Sequence, residues 1–494
     1  MGVNLTNLLE ENELWQVPGI IGVEWNQIND RWRRIDEYGN AIRPTPTDFN
    51  LHPIWGMMRR CTLAAAGTVN HYGSNPRGDG LDLTGADGRV MVEIPKFYVK
   101  SKSPSANVYR LWISPSAHPG FVVHPAFVQR GGAEKEHIYV GAYNADFEYY
   151  GANAAYNAAN EQLHSRTGKQ PYTGSADCIW SIPVDDLAFE PNIGNEVSTP
   201  TEGGFFVVDY LKTAGAWGGG GAGDTAIIWL RKPGDATCGM LTAEVLTNNT
   251  QANVIGNTTA GPTGRVVTEA HCRTLAGNIG AGWGLFNIWS LSAVQLLFYT
   301  EYAGADSQTL VGRGIVDKAA GTGFNGEVNG FNSSDTNIGV NGTGSGTGVN
   351  GLTPIAYRGI ENLWGNIYQF IDGYDALDAG YRIIKRTGTG VFANPIGAGD
   401  YETSLAVPIV ANGYISNIVY EDLLKYIFLA TAVAGSSATY LYDYWYGHVA
   451  AQTNILLAGG SWNDGAAAGV GCRYSNYVAG YASRNFGARL EFIG

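Results

Sequence analysis

Cysteine is scarce in this 494-residue chain, which has five (Cys61, Cys178, Cys238, Cys272 and Cys472), far apart, odd in number and without a CxxC spacing. Such a set indicates neither a disulfide framework nor a zinc site, and buried free thiols are its plain reading. Charge is thin too, at 15% of residues with a net balance of −13. The 31 Lys and Arg are scattered, which excludes the basic stripe that nucleic-acid backbones demand. No apolar run approaches the roughly 18 residues of a membrane span. The start, "MGVNLTNLLEENELWQVPG", has no basic region leading into an apolar one, so no secretory signal is expected.

Glycine, at 68 residues, and aromatics, at 12%, are what the chain has instead. Together with abundant Asn, Ser and Thr they predict polar loops around a β-rich scaffold rather than a helical repeat. The length suits a large elaborated domain or about two to four smaller ones.

Strand patterns dominate the first third. "IIGVEW", "RWRRID", "RVMVEIPKFYVK", "VYRLWISPSAHPGFVVHPAFV" and "EHIYVGAYNADFEYY" predict a sheet with aromatic and β-branched residues paired across strands. The Arg-Gly-Asp triplet at Arg77 to Asp79 reads as a turn between strands. Residues 172–265 carry glycine runs and short β segments, as an inserted β subdomain would. Beyond them, Leu291, Val294, Leu297, Phe298 and Glu301 follow the three-four spacing of an amphipathic helix, started by Asn287 or Ser290 and stopped near Gly304. A shorter helix is predicted over "TEAHCRTLA". Residues 321–352 are nearly pure Gly, Asn, Ser and Thr, a composition that predicts a long exposed loop.

Three segments carry a family resemblance. "RGIENLWGNIYQFIDG" (358–373) resembles the GNVWEW-type motif of the formylglycine-generating-enzyme branch of the C-type lectin fold. "AGGSWNDG" followed by "NFGARLEF" resembles that branch's closing GGSW and GFRL pair. With "LSAVQLLFYTEYAG" and "FVVHPAFV…IYVGAYNA", the pattern is similar to phage tail receptor-binding proteins and to the variable proteins of diversity-generating retroelements, a group that includes the major tropism determinant. The resemblance implies an α+β fold: a C-type lectin-like domain over residues 91–171 and 266–494, interrupted by a β-rich subdomain at 172–265. Residues 1–90 would form a β-rich N-terminal attachment and oligomerisation region.

The resemblance also implies a function. The chain would be a phage or prophage tail-fibre or tail-tip protein that attaches to a host surface protein or glycan. It would act as a homotrimer on the virion, joined to tail or baseplate proteins, and be made in a bacterial or archaeal host cytoplasm without a signal peptide. It would bind no nucleic acid, insert in no membrane and need no cofactor. In diversified members the changing positions lie between the GGSW-like and GFRL-like ends. Carried over residue by residue, these are Asp464, Ala466, Ala468, Val470, Cys472, Tyr474, Tyr477, Tyr481 and Ser483, with the even-numbered run from 464 to 474 expected on one face of an extended segment. Trp364, Gly365, Gly460, Trp462, Gly487 and Arg489 would be scaffold, with Trp364, Trp462 and Phe492 buried and Arg489 making a fork of hydrogen bonds to a loop carboxylate or carbonyl.

Composition bears on the same stretch. Tyr gives large contact area at low rotamer cost while Ser, Asn and Gly adapt their hydrogen bonding, the mixture of antibody paratopes. Gly, Tyr and Ser are also simply common in loop-rich β proteins, which remains the plain alternative. Chemistry is less favoured. The copper-holding Cys pair of formylglycine-generating oxidases is missing, since only Cys472 lies beyond residue 272. His118, His124 and His137 fit no common metal spacing, so structural histidines are expected and no metal. "EPN" at Glu190 to Asn192 lies inside the insertion, away from lectin calcium loops. No GxSxG elbow is present. A structural head- or tail-decoration protein and a host-polysaccharide depolymerase are the competing classes.

Overall fold

The computed structural model describes residues 19–128, 131–150, 156–174, 179–232, 239–264, 266–318, 338–346, 350–385, 388, 391–404 and 406–494. Most of the loop expected at 321–352 lies outside the described residues, as do residues 1–18, Cys178 and Cys238. Among the described residues strands outnumber helices by far, in several separate sheets with a few helices, an α+β composition.

The predicted early strands are all present. Ile21–Asn26 pairs antiparallel with Arg31–Ile35 on one side and Val108–Ser114 on the other, within a five-stranded sheet. Trp25 lies opposite both Trp32 and Tyr109, and the rings meet at 5.3 and 5.6 Å, so cross-strand aromatic pairs hold this sheet. A six-stranded sheet follows the order Trp283–Leu285, Leu490–Phe492, His137–Gly141, Arg89–Pro95, Arg59–Leu63, Val69–Tyr72. Its second strand is the end of the chain, so the C-terminal segment is sewn into the first third of the molecule. Gly78 takes the turn predicted at the Arg-Gly-Asp triplet with φ +91°, and Arg77 pairs with Asp79 in the same turn at 2.6 Å.

Residues 19–90 therefore contribute strands to sheets shared with residues 98–141 and 490–492; the division expected at residue 90 does not separate two bodies. Ile21, Val23 and Trp25 are buried in the main core. Glu24, buried between them, is accommodated because Arg33 and Arg110 both pair with it at 2.6 Å, so its charge is compensated on both sides.

Residues 179–264 form a seven-stranded sheet of their own. Its path runs Thr225–Arg231, Phe205–Ala214, Glu196–Ser198, Val245–Asn248, Asn253–Thr258, Ile179–Asp185, Thr263–Gly264, and Ile179–Asp185 pairs again with Thr225–Arg231. Six of its strands thus close into a small barrel, with Thr263–Gly264 as an extra strand on Ile179–Asp185. Alternate residues fill the interior, among them Ile182, Val184, Phe205, Val207, Ile228 and Leu230. Trp229, of opposite parity, points outward and is buried against Tyr149 and Phe147, with rings at 5.2 and 5.6 Å. That tryptophan docks the barrel on the rest of the chain.

Helix α1 (Glu269–Gly277) starts at Thr268, whose side chain accepts from His271 N, and helix α2 (Ile288–Tyr302) starts at Asn287, which accepts from Trp289 N and Ser290 N. Both occupy the predicted stretches, and α2 ends on Ala303 at φ +46°. Helix α2 is not amphipathic as expected, since every residue from Ile288 to Glu301 is buried. The reason is enclosure: α2 meets the N-terminal strand Ile21–Asn26 and the turn at Pro125–Phe127 as well as the strand Tyr368–Leu377. Gln295 and Glu301 of the helix are bonded inward. Gln295 Nε2 donates to Val470 O at 2.6 Å, and Glu301 pairs with Arg358 and accepts from Tyr357 Oη.

The largest sheet, of nine strands, runs Tyr401–Thr403, Gly380–Ile384, Tyr368–Leu377, Asn454–Ala458, Arg473–Tyr474, Tyr444–Tyr446, Gly413–Ile418, Ala430–Val433, with Phe486–Gly487 added beside Tyr368–Leu377. One of its faces covers α2. The other bears Tyr444, Tyr446 and Tyr474, which are only partly buried.

Candidate binding face

The frame around residues 464–484 is built from glycines and buried large side chains. Gly460 sits at φ +81°, and a Cβ there would come within 2.5 Å of Ala468 Cβ, so only glycine lets the turn close. Gly365, at φ +73°, and Gly487 would each place a Cβ 2.8 Å from a backbone oxygen. Trp364 is fully buried with Nε1 donating to Gly312 O, while Trp462 is buried beneath Arg484. Arg489 is the hub. Its Nε donates to Gln369 Oε1 at 2.6 Å, Nη1 to Gly141 O at 2.7 Å, and Nη2 to Glu361 O at 2.6 Å and Asn362 O at 3.0 Å. One planar fork thereby ties the closing segment to three distant stretches of chain. Burial pulls its basicity down to about 9, as expected of a cation whose bonds run to neutral amide oxygens.

The stretch inside the frame is not the extended strand expected. Gly465–Ala467 is a short 3-10 turn and strand returns only at Arg473–Tyr474. Ala468, Val470 and Cys472 are consequently buried, at 0%, 2% and 0% exposure, and cannot meet a partner at the surface. Backbone bonds pull them in: Gln308 Nε2 donates to Ala468 O, Val470 N donates to Ser307 Oγ, and Gly471 N donates to Asp443 Oδ2. Asp464 is half-buried and Ala466 exposed. Tyr474, Tyr477 and Ser483 are half-buried, and Tyr481 is 42% exposed. Solvent-facing character thus concentrates in the later part of the segment.

The sheet explains why. Tyr474 lies opposite Tyr446 on one neighbouring strand and Leu457 on the other, while Arg473 lies opposite Trp445 and Ala458. Period-two alternation sends Arg473 and Trp445 inward and Tyr474, Tyr446 and Tyr444 outward. The inward set is sealed, with Arg473 Nη2 donating to Gln295 Oε1 of α2 at 2.6 Å and to Ile427 O. The outward set continues as a track of rings. Tyr414 and Tyr444 meet at 5.1 Å, Tyr444 and Tyr446 at 4.7 Å, Tyr446 and Tyr474 at 4.0 Å, Tyr474 and Tyr477 at 4.8 Å, and Tyr477 and Tyr481 at 4.1 Å. Phe486 and the buried Tyr368 back it from beneath.

Tyr414, Tyr444 and Tyr446 were not among the residues expected on this face. Their signal in the sequence was the alternation in "YLYDYWYGH", where Tyr444 and Tyr446 flank Trp445; the pairing partner that brings them to Tyr474 is 28 positions away and only the fold supplies it. At the foot of the track Asp464 accepts from Ser461 N and Oγ at 2.5 and 2.6 Å and from Tyr368 Oη at 3.0 Å. Burial raises its carboxyl above the usual range, and those bonds oppose the rise. Phenols are neutral at pH 7 in any case, and burial raises those of Tyr446 and Tyr477 further.

Elsewhere, a cavity of about 390 Å³ is lined by Trp283, Trp289, Arg273, Asp372 and Glu491 among others. Arg273 grips Asp372 through Nε and Nη2 at 2.7 and 2.8 Å. Glu491 accepts from Asn287 N and Nδ2 at the start of α2, and burial pushes its carboxyl up to about 8. Among the described residues no three His, Cys, Asp or Glu side chains are grouped to hold a metal. His124 is buried, bonded to Ser292 and to Ala126 N, whereas His118 and His137 are exposed. Glu190 accepts from Tyr210 Oη within the barrel region. Cys61, Cys272 and Cys472 are buried free thiols. Among the described residues no helix is long and apolar enough to cross a membrane. No protein-family model matches this chain, and no curated protein matches it in sequence.

Proposed function

We propose that this chain is a receptor-binding protein of a phage or prophage tail, built on a C-type lectin-like fold, that attaches to a host surface ligand through the tyrosine face. The observation that carries the reading is the track from Tyr414 to Tyr481: aromatic side chains with polar tips, partly exposed, on a surface held rigid from behind by Trp445, Arg473 and Arg489. Rigid amphipathic rings bind with little entropic cost. The motifs at 358–373 and 459–492 support the lectin-like assignment, since their glycines and Arg489 serve as frame. In a homotrimer on a virion, several weak faces would act together and raise avidity by about 10² to 10⁴.

The test is adsorption. Purified protein with Tyr477→Ala and Tyr481→Ala, checked for an unchanged melting curve, is expected to lose at least about tenfold in binding to host cells, as befits loss of two adjoining aromatic contacts. Unchanged adsorption overturns the assignment of this face.

A further inference from the structure

We infer that the tyrosine track takes a neutral glycan chain lying across several rings, rather than a compact protein epitope; this rests on the binding role proposed above and names its ligand class. Three features of the track carry it. First, it is continuous: from Tyr414 to Tyr481 each ring touches the next, with centroid steps between 4.0 and 5.1 Å. Those at Tyr414, Tyr444 and Tyr446 follow the sheet across its strands and along one strand, so strand pairing sets their order. A linear ligand laid along it meets a tyrosine at each step.

Second, the rings are turned relative to one another, by 86°, 54°, 44° and 75° along the first four steps and by 24° at the last. Rings turned in this way present differently oriented aromatic surfaces along the track. Sugar units offer the complement, with axial C–H patches that pack on a π-face and equatorial hydroxyls that bond to phenols. Tyr474 Oη and Tyr477 Oη already lie 3.2 Å apart, a pair able to give and accept at one point.

Third, the charge is right for a neutral polymer. The members of the track are all tyrosines, with no acidic or basic side chain among them, and Asp464 beneath it is engaged by Ser461 and Tyr368. The chain as a whole carries −13, which repels anionic polysaccharides at long range. The cation beside the frame, Arg484, lies over the Trp462 ring, with 5.7 Å to its centroid.

The experiment is an NMR titration of the full chain with neutral oligosaccharide ladders, β-1,4-glucans, α-1,4-glucans and N-acetylglucosamine oligomers, from dimer to hexamer. Affinity for at least one ladder is expected to rise about tenfold or more with length, as successive rings are engaged, and Tyr444→Ala is expected to remove about two- to tenfold from the hexamer while leaving the dimer nearly unchanged. Tyr414→Ala, at the far end, serves as the second variant should Tyr444→Ala unfold. The inference is overturned if no ladder binds with a length dependence, or if Tyr444→Ala and Tyr414→Ala leave hexamer affinity intact. Should that happen while the Tyr477 and Tyr481 variant still loses adsorption, the face binds a protein and the receptor role stands. Length-dependent glycan binding with unaltered adsorption overturns the receptor role alone.

Discussion

Arg489 shows how much one side chain can be asked to hold. Its guanidinium occupies carbonyls at Gly141, Glu361 and Asn362 and the amide oxygen of Gln369, all far away in sequence. Arg489→Ala would leave these acceptors buried and unbonded, and a loss of more than about 3 kcal/mol in urea unfolding is expected. Arg489→Lys should recover little, because a single ammonium cannot reproduce a planar fork. Recovery to within about 1 kcal/mol of wild type would show that charge rather than geometry matters. This residue was readable beforehand from the closing motif and from the habits of guanidinium. Ala468, Val470 and Cys472 were not: small and apolar residues suit either an exposed variable face or a core, and the 3-10 turn at Gly465–Ala467 sends them to the core.

At the scale of elements, helix α2 was legible in position and opaque in environment. Side-chain chemistry offered Asn287 or Ser290 as its start, and the structure has Asn287 as the cap. The all-round burial of α2 was not legible, because the three-four spacing records the most apolar stripe and not what lies against the remaining polar positions. The same cap meets the last strand through Glu491, which gives a pH-dependent prediction. An unfolded Glu491 ionises near 4.5, while the folded one holds its proton to about 8 because burial penalises the charge. Between those values the folded chain binds more protons than the unfolded one, so this group's contribution is complete below about 4.5 and is lost as pH rises towards 8. Glu491→Gln, which stays neutral, should therefore gain on wild type in melting temperature between about pH 5 and pH 8. A constant difference across that range would mean that Glu491 is ionised throughout.

For the whole molecule, the main question is how many bodies the chain makes. The barrel at 179–264 has its own apolar cluster, whereas residues 19–90 share sheets with residues 98–141 and 490–492 and a core with α2. The barrel meets the rest largely through Trp229, the Asp209 carboxylate, which accepts from Tyr149 N at 2.7 Å, and Arg231, which donates to Gln170 and Pro171 O. Leu246→Ala, in the barrel's interior, is expected to destabilise that unit by about 2–5 kcal/mol. Hydrogen exchange should then show faster exchange at Ile228 and Ile255 with protection at Leu297 and Leu456 unchanged. Equal loss at all four sites would make the chain one cooperative unit.

By itself, the order of residues determined the local pieces: the early strands, the places of both longer helices, the turns that require glycine, and the absence of a basic stripe. These depend on side-chain chemistry and on contacts within a few positions. Tertiary structure alone decided that the chain's end is a strand between Trp283–Leu285 and His137–Gly141, and that residues 19–90 belong to shared sheets. It also decided that Tyr414, Tyr444 and Tyr446 join Tyr474 in one track. Strand pairing is made by backbone groups that every residue carries, so partners tens or hundreds of positions apart leave no local mark, and which tyrosines face outward together is settled only once the register is set.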